Sequence, residues 1–396
     1  MKSTGIVVEY NPFHNGHKYH LKKAKEYGDV VVAVMSGDFV QRGEPAFINK
    51  WERGKMALME GIDIVVELPV FYSCQSAEIF ARGAVGILEC LGVEKIVFGS
   101  ESSNIGKLKK IIYLEKNEKF LERLQSNLKV GDSYPTAYNK EVINFLGVDY
   151  RVQSNDILGI EYIRAIDFWN SKIEPVSIKR EGAGYHSQEH DGKIASASGI
   201  RKMFHEGKNK NEIKNLVPEK VGETLFKLMK EGKSIEMSKF YPLIKYAVIS
   251  QKDLLKDIQD MEIGFENRIY EAALICENYE EFLNKILTKR FTIGRVQRVL
   301  IHILLGITKE ITEKVKNKVP YVRIMGFSEK GRTYLKELKK RETPEVKIIT
   351  TLKNIQKNLS AEEREILELN ERASIIYRII NPYENKNTPM MYQEEQ

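Results

Sequence analysis

The sequence predicts an α/β fold: a mostly parallel sheet in its first half, followed by a second, mainly helical domain. Three observations carry this. Short apolar runs alternate with helical patterns through about residue 205, as repeated strand–helix–strand units require. Long amphipathic segments replace that alternation from about residue 209. The charge changes at the same place. Residues 1–200 hold 25 Lys/Arg against 26 Asp/Glu, while residues 201–396 hold 37 against 29. The expected division is therefore 1–208 and 209–396.

The elements follow in order. Gly5–Glu9 (GIVVE) reads as a buried strand, His17–Tyr27 as a helix and Val30–Met35 (VVVAVM) as a second strand. Lys50–Gly61 is helical, Ile64–Leu68 (IVVEL) is a third strand, Ser76–Leu91 a helix and Lys95–Phe98 a fourth strand. The crossovers between parallel strands should be right-handed. Ile105–Leu128 reads as one charged amphipathic helix. Asn155–Asn170 opens on an Asn-Asp pair that suits a helix start. Pro175–Lys179 is a strand and Ser198–His205 a helix. In the second half, Asn211–Glu231, Pro242–Leu255, Glu266–Lys289, Gly294–Leu305 and Ala361–Tyr377 read as helices. Tyr321–Met325 and Val346–Thr351 read as short strands flanking the helix Glu329–Lys340. Ligands on such sheets bind at the carboxyl ends of the strands.

Composition excludes several classes. Of the 396 residues 42% are hydrophobic and 30% charged, which rules out a disordered chain. Cys74, Cys90 and Cys276 are far apart and form no CxxC pair, so no disulfide framework or cysteine zinc site is expected. No apolar run approaches the roughly 18–20 residues of a membrane span, and no secretory leader opens the sequence, so a cytoplasmic location is expected. The net charge of +7 is concentrated in the second half and suits a polyanionic partner; a solvated lysine-rich surface is the alternative.

Two strings carry the chemistry. The first strand runs into EYNPFHNGHKYHL, which places His14 and His17 three apart at a strand-to-helix turn with Gly16 between them. Amide N–H groups at a helix start attract phosphate, and imidazoles can donate to triphosphate oxygens as charge builds on them. Surface histidines, or a metal site completed by His20, are the alternatives. The second string is KIASASGIRKMF, with Ser196 and Ser198 as helix caps and Arg201 and Lys202 on the first turn, where they suit the β- and γ-phosphates. Taken alone, this string is an ordinary capped helix.

Together these strings resemble the HxGH nucleotidyltransferase superfamily, whose Rossmann-like catalytic fold is shared with class I aminoacyl-tRNA synthetases. The segments MSGDFVQRGEPAFINKWERGKMALMEGIDIVVELPVFYSCQSAEIFARGAV, FGSE, SNDILGIEYIRAI and KREGAGYH narrow the resemblance to the tRNA(Met) cytidine acetate ligase family. It covers most of residues 1–206 and continues more loosely to about 380. One departure is Asp38, where the family is expected to carry Asn.

The resemblance implies ATP-dependent activation of acetate to acetyl-adenylate with release of diphosphate. It then implies acetyl transfer to the wobble cytidine of elongator tRNA(Met), giving N4-acetylcytidine without acetyl-CoA. It implies that His14, His17, Ser196 and Arg201 are catalytic. It also implies that the segment Val7, Val8, Glu9, Tyr10, Asn11, Pro12, Phe13, His14, Asn15, Gly16, His17, Lys18, Tyr19 and His20 cradles ATP. Gly99, Asn155 and Arg180 carry over as further ATP contacts, beside Ser196, Ser198 and Arg201. Read without the family, they are a turn glycine, a helix cap and a surface ion-pair partner. Mg²⁺ is expected to arrive with the triphosphate, held by waters rather than a protein cage.

The loop SGDFVQRGEP places Asp38, Gln41 and Arg42 where they could line an acyl pocket or admit cytosine. Glu44-Pro45, Trp51 and Arg53 read as structural, and Cys74 as buried rather than nucleophilic. Two basic clusters suit tRNA: Lys289, Arg290, Arg295 and Arg298, then Arg323, Lys330 and Arg332 with Lys336, Lys339, Lys340 and Arg341. Tyr321, Phe327 and Tyr334, among the second set, suit base stacking. The competing readings are a small-molecule adenylyltransferase, which would not need the basic second half, and an RNA-binding protein that has lost catalysis.

Overall fold

The computed structural model describes residues 1–180, 195–208, 210–289, 291–340, 346–352 and 359–393. Five parallel strands build the first part of one sheet: β1 (Ser3–Val8), β2 (Val30–Ser36), β3 (Ile64–Leu68), β4 (Lys95–Ser100) and β5 (Glu174–Lys179), in the order β3-β2-β1-β4-β5. Their sequences are near-continuous Val and Ile because both faces are covered, and β2 and β3 are buried at every position. Helices α1 (Asn15–Ala24), α2 (Lys50–Met59) and α5 (Ala197–His205) cover one face, and α3 (Ala77–Cys90) and α4 (Ser154–Phe168) the other.

The strand order reverses at β1, which places a crevice between β1 and β4. These two strands pair only near their amino ends, Thr4 with Lys95 and Gly5 with Ile96. Beyond that point they part, and the opening lies at their carboxyl ends.

The second half of the chain joins the same sheet. Strand β6 (Val322–Ser328) runs antiparallel to β3, with Glu67 opposite Arg323. Strands β7 (Ile348–Ile349) and β8 (Met390–Tyr392) lie parallel to β6 along its other edge. Three helices of this half matter below: α6 (Ile293–Leu305), α7 (Glu329–Leu338) and α8 (Ala361–Ile380). A division at residue 208 therefore crosses a shared sheet and a shared core. Lys50, Glu67 and Arg323, all buried, tie the halves together: Lys50 Nζ lies 2.6 Å from Glu67, and Arg323 Nη1 3.0 Å from the other carboxylate oxygen.

Several segments expected as single helices are broken where the sequence carries a cap or a proline. Ile105–Leu128 divides into Ile105–Leu114 and Glu118–Lys129, because the Asn117 side chain accepts the Phe120 N–H at 3.2 Å and starts a new helix. Pro218 separates Lys210–Lys214 from Glu219–Lys230. Asn278 separates Phe265–Ile275 from Tyr279–Ile286. Helix Tyr134–Leu146, with Pro135 in its first turn, was not anticipated from the sequence.

Candidate active site

The turn after β1 is built by its own sequence. Tyr10 adopts a positive φ of 49° where the chain leaves β1 for α1, and the Asn11-Pro12 bond is cis. Phe13 and Tyr10 are buried against each other with ring centroids 4.5 Å apart. His14 caps α1 in extended conformation, and its N–H donates to His17 Nδ1 at 3.3 Å. The two imidazoles stack with centroids 3.7 Å apart, so the spacing does place them on one side. His20 Nε2–H donates to the Val97 carbonyl at 2.9 Å, a carbonyl just past the last β1–β4 pair. His14 is 6% exposed. Burial lowers all three histidines, His14 to about 4; the charge of Arg180 adds to it, at His17 after the neighbouring His14 and His20, so all three are neutral at physiological pH in the free protein. Other residues of the segment are structural: Asn11 Oδ1 accepts the Phe47 N–H at 2.7 Å, and Lys18 pairs with Glu60 beyond α2 at 3.1 Å. Val8 packs in the core and Val7 against it.

Three further residues meet this turn from β4, β5 and α4. The Arg180 side chain lies over Gly99: a Cβ there would sit 3.0 Å from Arg180 Cγ. Arg180 Nη1 donates to Asn155 Oδ1 at 2.6 Å. Asn155 lies inside the first turn of α4 and is not its cap; its Nδ2 donates to Glu101 Oε1 at 2.5 Å. Glu101 also accepts the Asn155 and Asp156 N–H groups, at 3.3 and 2.9 Å, and so closes the start of α4. Sequence reasoning missed Glu101, although its FGSE context marked a strand end. Gly99, Asn155 and Arg180 thus form one cluster beside the histidines.

The second string arrives through Arg201. Ser196 caps α5, accepting the Gly199 N–H at 3.1 Å, and its hydroxyl lies 3.1 Å from that of Ser198. Arg201 Nη1 donates to the Asn11 carbonyl at 2.8 Å, and Nη2 to Glu44 at 2.9 Å. The two strings are therefore brought together, with Glu44 as an unanticipated partner. Asn15 is held from the second half, its N–H donating to the Leu216 carbonyl at 3.0 Å. Lys193 and the GAGYH segment lie outside the described residues.

The loop after β2 forms a small hairpin, Phe39–Val40 with Glu44–Pro45. Asp38 is buried and both its oxygens are used: Oδ1 accepts the Lys50 N–H at 3.0 Å and Oδ2 the Tyr383 hydroxyl at 2.6 Å. That carboxylate ties the loop to the start of α2 and to Tyr383. Gln41 donates its N–H to Glu9 Oε1 at 2.9 Å and its side-chain amide to the Gln75 carbonyl at 3.1 Å. Arg42 is exposed at the hairpin tip. Arg53, 1% exposed, braces the strand ends by donating to the carbonyls of Glu9, Ser36, Gly37 and Ile48. Cys74 is buried, its thiol pushed up to about 12 by desolvation, as expected of a packing residue.

The basic clusters separate. Arg295 and Arg298 lie on α6, against which the hairpin packs: a Cβ on Gly43 would fall 2.2 Å from the Arg298 nitrogen. Arg295 pairs with Glu262 at 2.6 Å and Arg298 with Asp260 at 3.4 Å; Lys289 is exposed, and Arg290 lies outside the described residues. Arg323, by contrast, is 3% exposed and committed to Glu67 and Glu371, which corrects its assignment to a tRNA surface. Tyr321 and Tyr334 are buried as well, so neither offers a stacking face. Exposed Lys330 and Arg332 lie on α7, at the amino ends of the parallel strands, because Tyr334 donates to the Leu91 carbonyl at 2.7 Å and touches the Ser3 hydroxyl at 3.0 Å. That edge is opposite the histidine turn. Arg341 lies outside the described residues.

Among the described residues no group of three or more His, Cys, Asp and Glu side chains could hold a metal ion, and no helix is long and apolar enough to cross a membrane.

The family model for HIGH nucleotidyl transferases matches residues 1–392. A tRNA(Met) cytidine acetate ligase of Fusobacterium nucleatum is 48% identical over 400 residues, covering 98% of each chain. Another, from Caldicellulosiruptor saccharolyticus, is 43% identical over 96% of this chain and 94% of its own. A crystal structure of Thermotoga maritima TmcAL bound with alpha-thio ATP is 34% identical and superposes with a TM-score of 0.87, covering 97% of this chain and 95% of that one. The similarity thus runs through both halves and through the histidine turn, and the chain belongs to the HIGH nucleotidyltransferase family, among the tRNA(Met) cytidine acetate ligases.

Proposed function

We propose that this chain activates acetate with ATP and passes the acetyl group to the wobble cytidine of elongator tRNA(Met). The observation that carries the reading is the convergence on one crevice of the His14–His17–His20 turn, the Gly99–Asn155–Arg180 cluster and Arg201. These three groups come from β1, from β4, α4 and β5, and from α5.

In the adenylation step an acetate oxygen attacks the α-phosphorus and diphosphate leaves. Two anions must be held together, so positioning and charge neutralisation carry most of the catalysis. The neutral imidazoles of His14 and His17 act as donors to phosphate oxygens, and a bound triphosphate would draw their proton affinity upward. Arg180 and Arg201 supply fixed charge, and the α1 and α5 amino ends supply N–H groups. Ser196 and Ser198 stand at the second of these ends. Gly99 leaves room for Arg180, and through it for the nucleotide. Mg²⁺ would accompany the triphosphate with a mostly aqueous shell, beside the fixed charge of Arg180 and Arg201. On this reading the acyl group comes from acetate, without acetyl-CoA.

For tRNA, Lys289, Arg295 and Arg298 are favoured over Lys330 and Arg332, because α6 abuts the hairpin beside the crevice. The test is direct. Purified protein, ATP, Mg²⁺, labelled acetate and folded elongator tRNA(Met) should yield acid-insoluble label that digests to N4-acetylcytidine. Absence of label in RNA, with ATP bound, defeats the reading.

A further inference from the structure

The carboxylates at the carboxyl edge of the sheet are nearly all engaged. Asp38 is held by the Lys50 N–H and the Tyr383 hydroxyl, and Glu44 by Arg201. Glu101 accepts three N–H donors at the start of α4. Asp156 accepts from the Ser100 hydroxyl and from both the N–H and hydroxyl of Ser102. Glu9 differs. It follows β1 directly, its residue is half-buried, and among the described residues the Gln41 N–H is the one hydrogen-bond donor to its carboxylate.

Its placement is also distinct from that of the histidines. Along β1, Ile6 and Val8 pack in the core on the α1 face, while Val7 packs against the core on the α3 and α4 face. Alternation puts Glu9 with Val7, on the face opposite α1. Tyr162 of α4 and Cys74 lie within its field. Gln41, which contacts Glu9, also donates to the Gln75 carbonyl. The Gln75 side chain is fully buried, and both of its amide atoms lack a hydrogen-bond partner among the described residues. Gln41 thus links the Glu9 carboxylate to the backbone of Gln75, and the remaining acceptor capacity of that carboxylate is the complement of a cytosine amine. Cytosine offers an N4–H₂ donor to such a carboxylate.

Resting on the reading above, we propose that the Glu9 carboxylate receives the wobble cytosine amine and is the base for acetyl transfer. The N4–C bond forms and the bond from the acetyl carbon to the adenylate oxygen breaks. AMP leaves with that electron pair, and the N4 proton passes to Glu9, which returns it to solvent. Desolvation holds the Glu9 carboxyl above its ordinary range, against the opposing Gln41 N–H and the charges of Arg201 and Arg42, so it binds a proton more readily than an exposed glutamate would.

Glu9→Gln tests this, since it keeps an acceptor for the Gln41 N–H. Two half-reactions are read separately: acetate-dependent exchange of diphosphate into ATP, and single-turnover transfer from enzyme-bound acetyl-adenylate to tRNA. The variant should lose about 10²–10⁴-fold in transfer, at least about tenfold more than it loses in exchange. The rise of the wild-type transfer rate with pH should also flatten in the variant. Equal losses in both half-reactions would overturn the proposal, as would transfer within about threefold of wild type. A wild-type protein that forms acetyl-adenylate but transfers nothing to tRNA(Met) would instead defeat the underlying reading.

Discussion

At the residue scale, Arg180 decides most. It touches Asn155, covers Gly99 and lowers the proton affinity of three buried imidazoles. Arg180→Ala should weaken ATP binding by about 10- to 100-fold, the usual magnitude of a lost charged hydrogen bond. The same variant should raise the His14 pKa toward the ordinary imidazole range, which NMR titration of the imidazole would follow; no movement would refute the proximity. The histidines also set a pH dependence of stability. Their folded values are depressed, His14 to about 4, against 6.5 when unfolded. Between those limits the unfolded chain takes up protons that the fold refuses. Stability is therefore full above about pH 6.5 and falls as the pH drops toward 4. His14→Asn should flatten that fall by up to about 1.4 kcal/mol per pH unit, read from urea midpoints across the window. The histidine pair was legible in the sequence because its spacing and its glycine form a local pattern. Arg323 was not, since a basic residue in a strand looks the same whether its partner is a phosphate or a glutamate 256 positions away.

At the element scale, the hairpin after β2 is the piece whose geometry is most tightly set. Gly43 has φ +77° and lies so close to α6 that a methyl would meet the Gln297–Arg298 backbone. Gly43→Ala should destabilise by about 1–3 kcal/mol, from backbone strain and overpacking together. Because Gln41 and Glu44 flank it, acetyl transfer should fall more than thermal stability does. A variant with wild-type melting and transfer would show that the hairpin yields freely. The strands of the first half were read almost to the residue, since unbroken Val and Ile runs between turn signals have few alternatives. Most helices were located but not divided, and Tyr134–Leu146 was missed. Asn117 and Asn278 lie in charged amphipathic stretches, where the cap competes with an apolar stripe that continues on both sides.

At the scale of the whole molecule, the two halves should unfold as one. Lys50, Glu67 and Arg323 are buried at the seam between β3 and β6. Their partners hold the Glu67 carboxyl down at about 2 despite its burial, so its contribution to stability is present above pH 4.5 and is lost as the pH falls through about 2. Lys50→Met should cost about 3–5 kcal/mol, since it leaves buried charge undercompensated. Trp51 and Trp169 pack with opposite faces of the sheet, and their fluorescence should report coincident transitions; two separated midpoints would contradict a shared core. The change of pattern near residue 208 was legible. The return of the chain to the sheet was only half so: the short strand at 321–325 was visible, but its partner β3 was not, because pairing across such a distance leaves no local signature.

The antiparallel seat of β6 also bears on how the chain is made. During synthesis the five parallel strands emerge well before Val322–Ser328, so the outer edge of IVVEL stays open for the time taken to add more than half of the polypeptide. A nascent or prematurely ended chain would present that apolar edge for pairing with another copy. Glu67 lies within it, and until Arg323 arrives Lys50 pairs with one of its oxygens alone, so the other resists burial against a neighbouring chain. The carboxylate that locks the finished sheet thus serves as its gatekeeper while the sheet is incomplete.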